Sequence, residues 1–278
     1  MKRVRIDSLL SRRGLFDSRA RAAASVLAGD VRLLPDRRRV QKPGQLVPED
    51  VQVEVVRAPQ FVSRGGVKLA NALEAFGLSV SGACALDVGA STGGFTDCLL
   101  QRGTARVIAL DVAYGELHWR LRSDPRVSVV ERRNARSIAA ADLPYRPGVI
   151  VIDVSFISLA KVLPAVLACA ADRFDCLAMV KPQFEVGRAL VGRGGVVRDP
   201  ELRRRALVSV GSTAVQLGAV VLGYASSGLP GPAGNRESFV WLAEAGRDGG
   251  LREERHLARS AAEVEGLTSA EVEEVQGT

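Results

Sequence analysis

Several short stretches of the chain place reactive side chains where chemistry needs them. Ala85-Leu86-Asp87-Val88-Gly89-Ala90-Ser91-Thr92-Gly93-Gly94-Phe95-Thr96-Asp97 takes an apolar run into an acidic residue, then a glycine-rich turn, then a helix-like segment from Phe95 to Arg102. A parallel strand hands over to a helix in this way beneath a bound cofactor. Glycine at 89, 93 and 94 lets the backbone turn tightly and approach a ligand closely. Three further charges, Asp111, Asp153 and Lys181, each follow an apolar run. Lys68 opens the segment Leu69 to Phe76, where a cation runs against the helix macrodipole, so a purely structural lysine would gain little there.

The elements that must carry these residues alternate. Strands are expected from Ala85 into Asp87, and at Ala105 to Leu110, Val127 to Val130, Gly148 to Ile152 and Phe174 to Val180, with Ala219 to Tyr224 and Ser238 to Ala243 as the last two. Helices are expected at Leu69 to Phe76, Phe95 to Arg102, Ser158 to Ala171 and Glu201 to Leu217. This alternation predicts an α/β domain whose mostly parallel sheet of seven strands is covered on both faces. Asp111, Asp153 and Lys181 then share the C-terminal edge of the sheet, where open α/β sheets bind ligands. Asp111 lies about 20 residues past the glycine turn and can accept both ribose hydroxyls of a nucleoside. The turn reads G-x-x-x-G-G, not G-x-G-x-x-G. That spacing suits S-adenosylmethionine better than a nicotinamide dinucleotide, which needs a cradle for its pyrophosphate. The candidate cofactor residues are Asp87, Gly89, Ser91, Thr92, Gly93, Gly94, Phe95 and Asp111, with Asn134 as a partner for the adenine edge.

Of 278 residues, 47% are apolar and 25% charged, a globular composition. The formal charge of +7 is uneven: residues 1–57 carry 13 basic and 7 acidic side chains, and residues 247–278 carry 4 and 8. A basic first segment points to a polyanionic partner. The four cysteines, Cys84, Cys98, Cys169 and Cys176, form no C-x-x-C pair and read as reduced core thiols. With His118 and His256 the only histidines, neither a metal site nor Ser-His or Cys-His chemistry is expected. No signal peptide and no apolar run of about 18 residues is apparent, so a cytoplasmic protein without a membrane span is expected.

Residues 1–57 read as two small helices and a few short strands. Asp7 caps the first helix, Asp17 the second, and Gly14 and Gly29 stop them. Val31 to Leu33, Arg39-Val40 and Val51 to Val56 read as β segments. This set, with Arg5-Ile6-Asp7, Ser18-Arg19, Gly29-Asp30-Val31 and Lys42-Pro43-Gly44, resembles the small α+β RNA-binding domain named after ribosomal protein S-four. Arg3, Arg5, Arg12, Arg13, Arg19, Arg21 and Lys42 are the candidate phosphate contacts. With Phe16 the segment's lone aromatic side chain, recognition of RNA shape and backbone is favoured over base stacking.

Ser63-Arg64-Gly65-Gly66-x-Lys68-Leu69, the glycine turn, Asp153-Val154-Ser155-Phe156-Ile157-Ser158, Lys181-Pro182-Gln183-Phe184-Glu185 and Gly234-Asn235-x-Glu237 together resemble the TlyA family, bacterial ribosomal-RNA 2′-O-methyltransferases also called haemolysin A. The catalytic part is similar to the FtsJ type. The resemblance implies a Rossmann-like class I methyltransferase using S-adenosylmethionine and no metal. It implies a Lys-Asp-Lys-Glu set, which falls on Lys68, Asp153, Lys181 and Glu237, and cytidine 2′-O-methylation of 16S and 23S rRNA within 30S and 50S subunits. On this reading residues 58–62 are a linker and 63–246 the methyltransferase domain; the acidic tail 247–278 lies outside the resemblance and is expected to be disordered or weakly helical. The loop from Gly187 to Arg198, with Arg188, Arg193 and Arg198 among glycines, is a candidate RNA clamp. Two other readings compete: an RNA-binding assembly factor with a silent methyltransferase fold, and a membrane-lytic protein as the older family name suggests.

Overall fold

The computed structural model describes residues 3–16, 18–56 and 60–266. The chain divides into two compact units, Met1–Gln60 and Phe61–Thr278.

In the first unit, β1 (Arg3–Arg5) leads directly into α1 (Ile6–Arg12), and α2 (Arg19–Ala28) follows. Asp7 lies inside the first turn of α1 instead of preceding it. Asp17 falls outside the described residues; the side chain that caps α2 is Ser18, which accepts from the Arg21 N–H at 3.2 Å. β2 (Val31–Leu33) pairs antiparallel with β3 (Arg38–Arg39) and β5 (Val53–Val55), while β1 pairs antiparallel with β4 (Leu46–Pro48). The three-residue strands β1 and β4 were not foreseen, being too short to show an alternating pattern. Ile6, Leu10, Val26, Val31 and Val47 form the small core.

The second unit is built on one seven-stranded sheet. In chain order its strands are β6 (Cys84–Val88), β7 (Arg106–Leu110), β8 (Val127–Val130), β9 (Val149–Ile152), β10 (Asp175–Val180), β11 (Val220–Ser226) and β12 (Ser238–Ala243). Their spatial order is β11-β12-β10-β9-β6-β7-β8. The five strands from β10 to β8 are parallel, and β12 is antiparallel to both its neighbours. Alternation along each strand divides the apolar side chains between two faces. Cys176, Ala178 and Val180 of β10 join a core with α6 (Leu163–Ala168) and α8 (Pro200–Gln216). Leu177 and Met179 join a second core with α3 (Arg64–Ala75) and α4 (Gly94–Gln101). The short helices α5 (Trp119–Arg122) and α7 (Pro182–Glu185) follow β7 and β10.

Two expected boundaries move. Phe61 and Val62, taken as linker, belong to the second unit. Phe61 is buried against Gly66, where an added Cβ would lie 2.3 Å from its ring, and the Val62 N–H donates to Asp97 at 2.8 Å. Of the disorder and weak helix expected for the acidic tail, its first part takes the helix. Leu251 pairs with Val221 along the outer edge of β11, and α9 (Glu254–Glu265) packs on α8 and β11 through Leu257, Ala258, Ala261 and Ala262. Covering an edge strand removes a row of open hydrogen-bonding groups. Residues 267–278 lie outside the described residues. Among the described residues, no helix is long and apolar enough to cross a membrane.

Candidate active site

Strand register brings the site together. Val88 lies opposite Ile152, and Ile152 opposite Ala178, so Gly89 and Asp153 leave their strands side by side with Lys181 just beyond. Val180 lies opposite Ser238 on antiparallel β12, which carries Glu237 to the same edge. Gly89 has φ +84°, and a Cβ there would lie 2.4 Å from the Asp153 carbonyl oxygen, so only glycine fits this crossing.

Lys68, Asp153, Lys181 and Glu237 all line one cavity of about 1280 Å³. They form two ion pairs. Lys68 is paired with Glu237, with 8% and 1% of the two side chains exposed. Lys181 Nζ lies 2.6 Å from Asp153 Oδ1 and donates to Ser155 Oγ at 2.9 Å. Lys68 stands one turn inside α3, not at its start, so its partner Glu237 accounts for its position better than the helix dipole does. A lysine this deeply buried is stable as a cation only beside an anion.

Gly89, Ser91, Thr92, Gly94 and Phe95 of the turn line the same cavity. Gly93 packs beneath it, where a Cβ would meet Leu121 at 2.2 Å. Asp111 is not in the lining but fixes it: its carboxylate accepts from the N–H of Ser91 at 2.7 Å and of Ala113 at 2.8 Å. Asn134 also stands outside the lining, its side-chain oxygen accepting from the Arg136 N–H at 3.0 Å, while Arg136 itself reaches the cavity. Asp87 is fully buried below the turn. One carboxylate oxygen accepts from Thr96 Oγ1 at 2.7 Å, and the other, Oδ1, has no hydrogen-bond partner. Burial pushes this carboxyl up to about 7, against the Thr96 hydrogen bond and helped by the negative charge of Asp153.

Sequence reasoning overlooked Ser155 as the second partner of Lys181. It also missed an aromatic pair in the cavity wall: Phe156, 91% exposed at φ +64°, with its ring centroid 5.4 Å from that of Phe184. The signal was there in Asp153-Val154-Ser155-Phe156, but side-chain direction after a strand end is not readable from spacing.

The seven cations proposed for RNA differ in how far they are engaged. Arg5 and Arg19 both donate to the buried Asp7 carboxylate, at 2.7 and 3.1 Å, and Arg5 first, with Arg19 adding, holds that carboxyl well below the usual range despite its burial. Arg13 donates to the carbonyls of Val51 and Glu49, both at 2.7 Å, and Arg12 pairs with Glu49 at 3.2 Å. All seven side chains are exposed, Arg3, Arg21 and Lys42 among them.

The model of the FtsJ-like methyltransferase family matches residues 61–244. A Mycobacterium tuberculosis protein named 16S/23S rRNA (cytidine-2'-O)-methyltransferase TlyA is 50% identical over 87% of this chain and 90% of its own. Hemolysin A of Brachyspira hyodysenteriae is 37% identical over 84% of this chain and 97% of its own. A solved structure described as a hemolysin, from Streptococcus thermophilus, superposes with a TM-score of 0.70 at 37% identity, covering 96% of this chain and 97% of that one. With this resemblance running through both units, and the glycine turn and both ion pairs inside the matched segment, the chain belongs to the TlyA family of FtsJ-like methyltransferases.

Proposed function

We propose that the chain methylates the 2′-hydroxyl of cytidine in 16S and 23S ribosomal RNA of assembled subunits, using S-adenosylmethionine, in the cytoplasm. The observation that carries this reading is the meeting of Lys68, Asp153, Lys181 and Glu237 with the glycine turn in one cavity. The cavity suits that donor. Residues 89–92 line the cavity, Asp111 stands at the tip of β7 behind Ser91, and the carboxyl of Asp87, one oxygen of it unpartnered, lies buried beneath the turn. When bound, S-adenosylmethionine supplies an electrophilic methyl group.

The chain's own residues make the ribose oxygen reactive and hold it in line. A hydroxyl is a poor nucleophile until its proton is taken, and the Lys181 amine, in its neutral form, is the group placed to take it. Asp153 and Ser155 fix the Lys181 nitrogen from two directions and orient its free valence. Asp153 then stabilises the ammonium that forms. Lys68 lines the same cavity, and its ion pair with Glu237 holds it in place. The first unit supplies the affinity for RNA through phosphate contacts, which carry no base identity.

Mass spectrometry of rRNA from cells with and without the gene tests the reading. Cytidine 2′-O-methylation in both rRNAs, lost with the gene, is the expected result. Unchanged methylation together with unchanged subunit binding would favour the silent RNA-binding alternative.

A further inference from the structure

The segment between α7 and α8, residues 186–199, gives Gly187, Arg188, Val191, Gly192 and Gly195 to the wall of the catalytic cavity. Asn235, 1% exposed, holds one part of it, accepting from the Val197 N–H at 2.9 Å and donating to the Gly195 carbonyl at 2.7 Å. Two single 3₁₀ turns make up its regular structure, and Gly187, Gly194 and Gly195 take positive φ. A segment so rich in glycine and poor in buried apolar groups opens locally at low cost.

Its root is clamped from a distance. Arg203, buried on α8, donates from Nη1 to the carbonyls of Arg198 at 2.6 Å and Val197 at 3.4 Å. The same guanidinium donates from Nε to Glu265 Oε2 at 2.6 Å, and the two side chains are 7% and 4% exposed. Glu265 is the last residue of α9, in the part of the chain whose composition had suggested disorder or a weak helix. A guanidinium is a rigid planar fork, so fixing its Nε edge fixes where its Nη1 points. Apolar side chains would dock α9 on α8 as well as an ion pair does, because burying two charges gains little over packing. The ion pair does something that packing would not: it aims a donor at the loop.

We propose that Glu265, acting through Arg203, is a positioning residue for methyl transfer, with α9 fixing the root of the loop that walls the cavity. The claim about catalysis rests on reading that cavity as the methyl-transfer site; the claim about the loop does not.

The full chain carrying Arg203→Met with Glu265→Leu keeps an apolar contact between the helices and loses the bonds to residues 197 and 198. Glu265→Gln keeps an uncharged acceptor and serves as the conservative variant. Circular dichroism and Tm report the fold, tryptic cleavage after Arg188, Arg193 and Arg198 reports the loop, and kcat and KM on ribosomal subunits report positioning. The double variant is expected to melt within a few degrees of the parent, to be cut in the loop about tenfold faster, and to lose about tenfold in kcat/KM, chiefly through kcat. Glu265→Gln is expected to fall between. Cleavage at the parent's rate in the folded double variant overturns the tether, and faster cleavage with unchanged kcat overturns the positioning role. If the double variant does not fold, parental cleavage and kcat in Glu265→Gln overturn the proposal by themselves. If the parent transfers no methyl group, the functional reading fails, while the cleavage comparison still decides the tether.

Discussion

The two lysine–carboxylate pairs occupy different parts of one cavity and are built differently. Lys68 and Glu237 join α3 to the start of β12, and both side chains are almost wholly buried. Lys181 and Asp153 extend from adjacent parallel strands; Asp153 is 25% exposed, and Lys181 has a second partner in Ser155. A charge sealed against one partner has no alternative state and acts as a fixed source of field. A charge shared between a carboxylate and a hydroxyl, beside open space, can exchange a partner for a substrate oxygen. On the proposed mechanism the same two residue types make a strut in one place and a proton-handling group in the other.

The sharpest way to break this comparison is at Lys181. Lys181→Ala is expected to lower methyl transfer by about 10³-fold while S-adenosylmethionine binding, measured by calorimetry, stays near the parent value. Near-normal transfer in that variant would remove Lys181 as the base. Lys68→Met should instead act first on the fold. It leaves Glu237 buried without its partner and should cost about 3–5 kcal/mol in denaturant unfolding. Adding Glu237→Leu should recover most of that stability and none of the activity. A stable, active double variant would show that Lys68 contributes no field to the reaction.

A smaller effect tests the buried carboxyl beneath the turn. In the folded chain Asp87 keeps its proton up to about 7, whereas in the unfolded chain it releases it in the ordinary carboxylate range. Stability from this group therefore falls as pH rises between about 4 and 7 and is level above that. Asp87→Asn cannot ionise, so its Tm relative to the parent should climb from pH 5 to pH 8. A difference that stays flat with pH would mean that Asp87 is ionised throughout. The smallest effect carries the comparison into the first unit, where Arg13 is committed to two carbonyls and Lys42 is exposed. Lys42→Met should reduce the slope of log affinity for rRNA against log salt by about one, and Arg13→Met should leave that slope unchanged while lowering stability. Equal slopes for both variants would dissolve the distinction.

Much of this arrangement could be read in the residues, because strand ends announce themselves. Apolar runs closing on Asp87, Asp111, Asp153 and Lys181 place those four on one edge of any parallel sheet. Glu237 was not legible in that way: it precedes its strand, and it reaches the edge only because β12 runs backwards. α9 was hidden because alanine makes most of its buried face, at Ala258, Ala261 and Ala262, and alanine carries little hydrophobic signal against neighbouring charges. Lys68 was misplaced by one turn because the helix begins in Arg64-Gly65-Gly66, where glycine packs against Phe61 instead of ending the element. For the arginines of the first unit, residue type gave the charge, but the hydrogen-bond partners that divide Arg13 from Lys42 depend on tertiary contacts.

The reversed direction of β12 has a consequence in time. Every other strand that holds a member of the site offers its finishing end, so its reactive side chain is synthesised as the strand is completed. Glu237 comes from the opening end of a strand that must slide between β11 and β10, both made earlier. A nascent chain can assemble the glycine turn, Lys68, Asp153 and Lys181 and still lack the anion that seals Lys68.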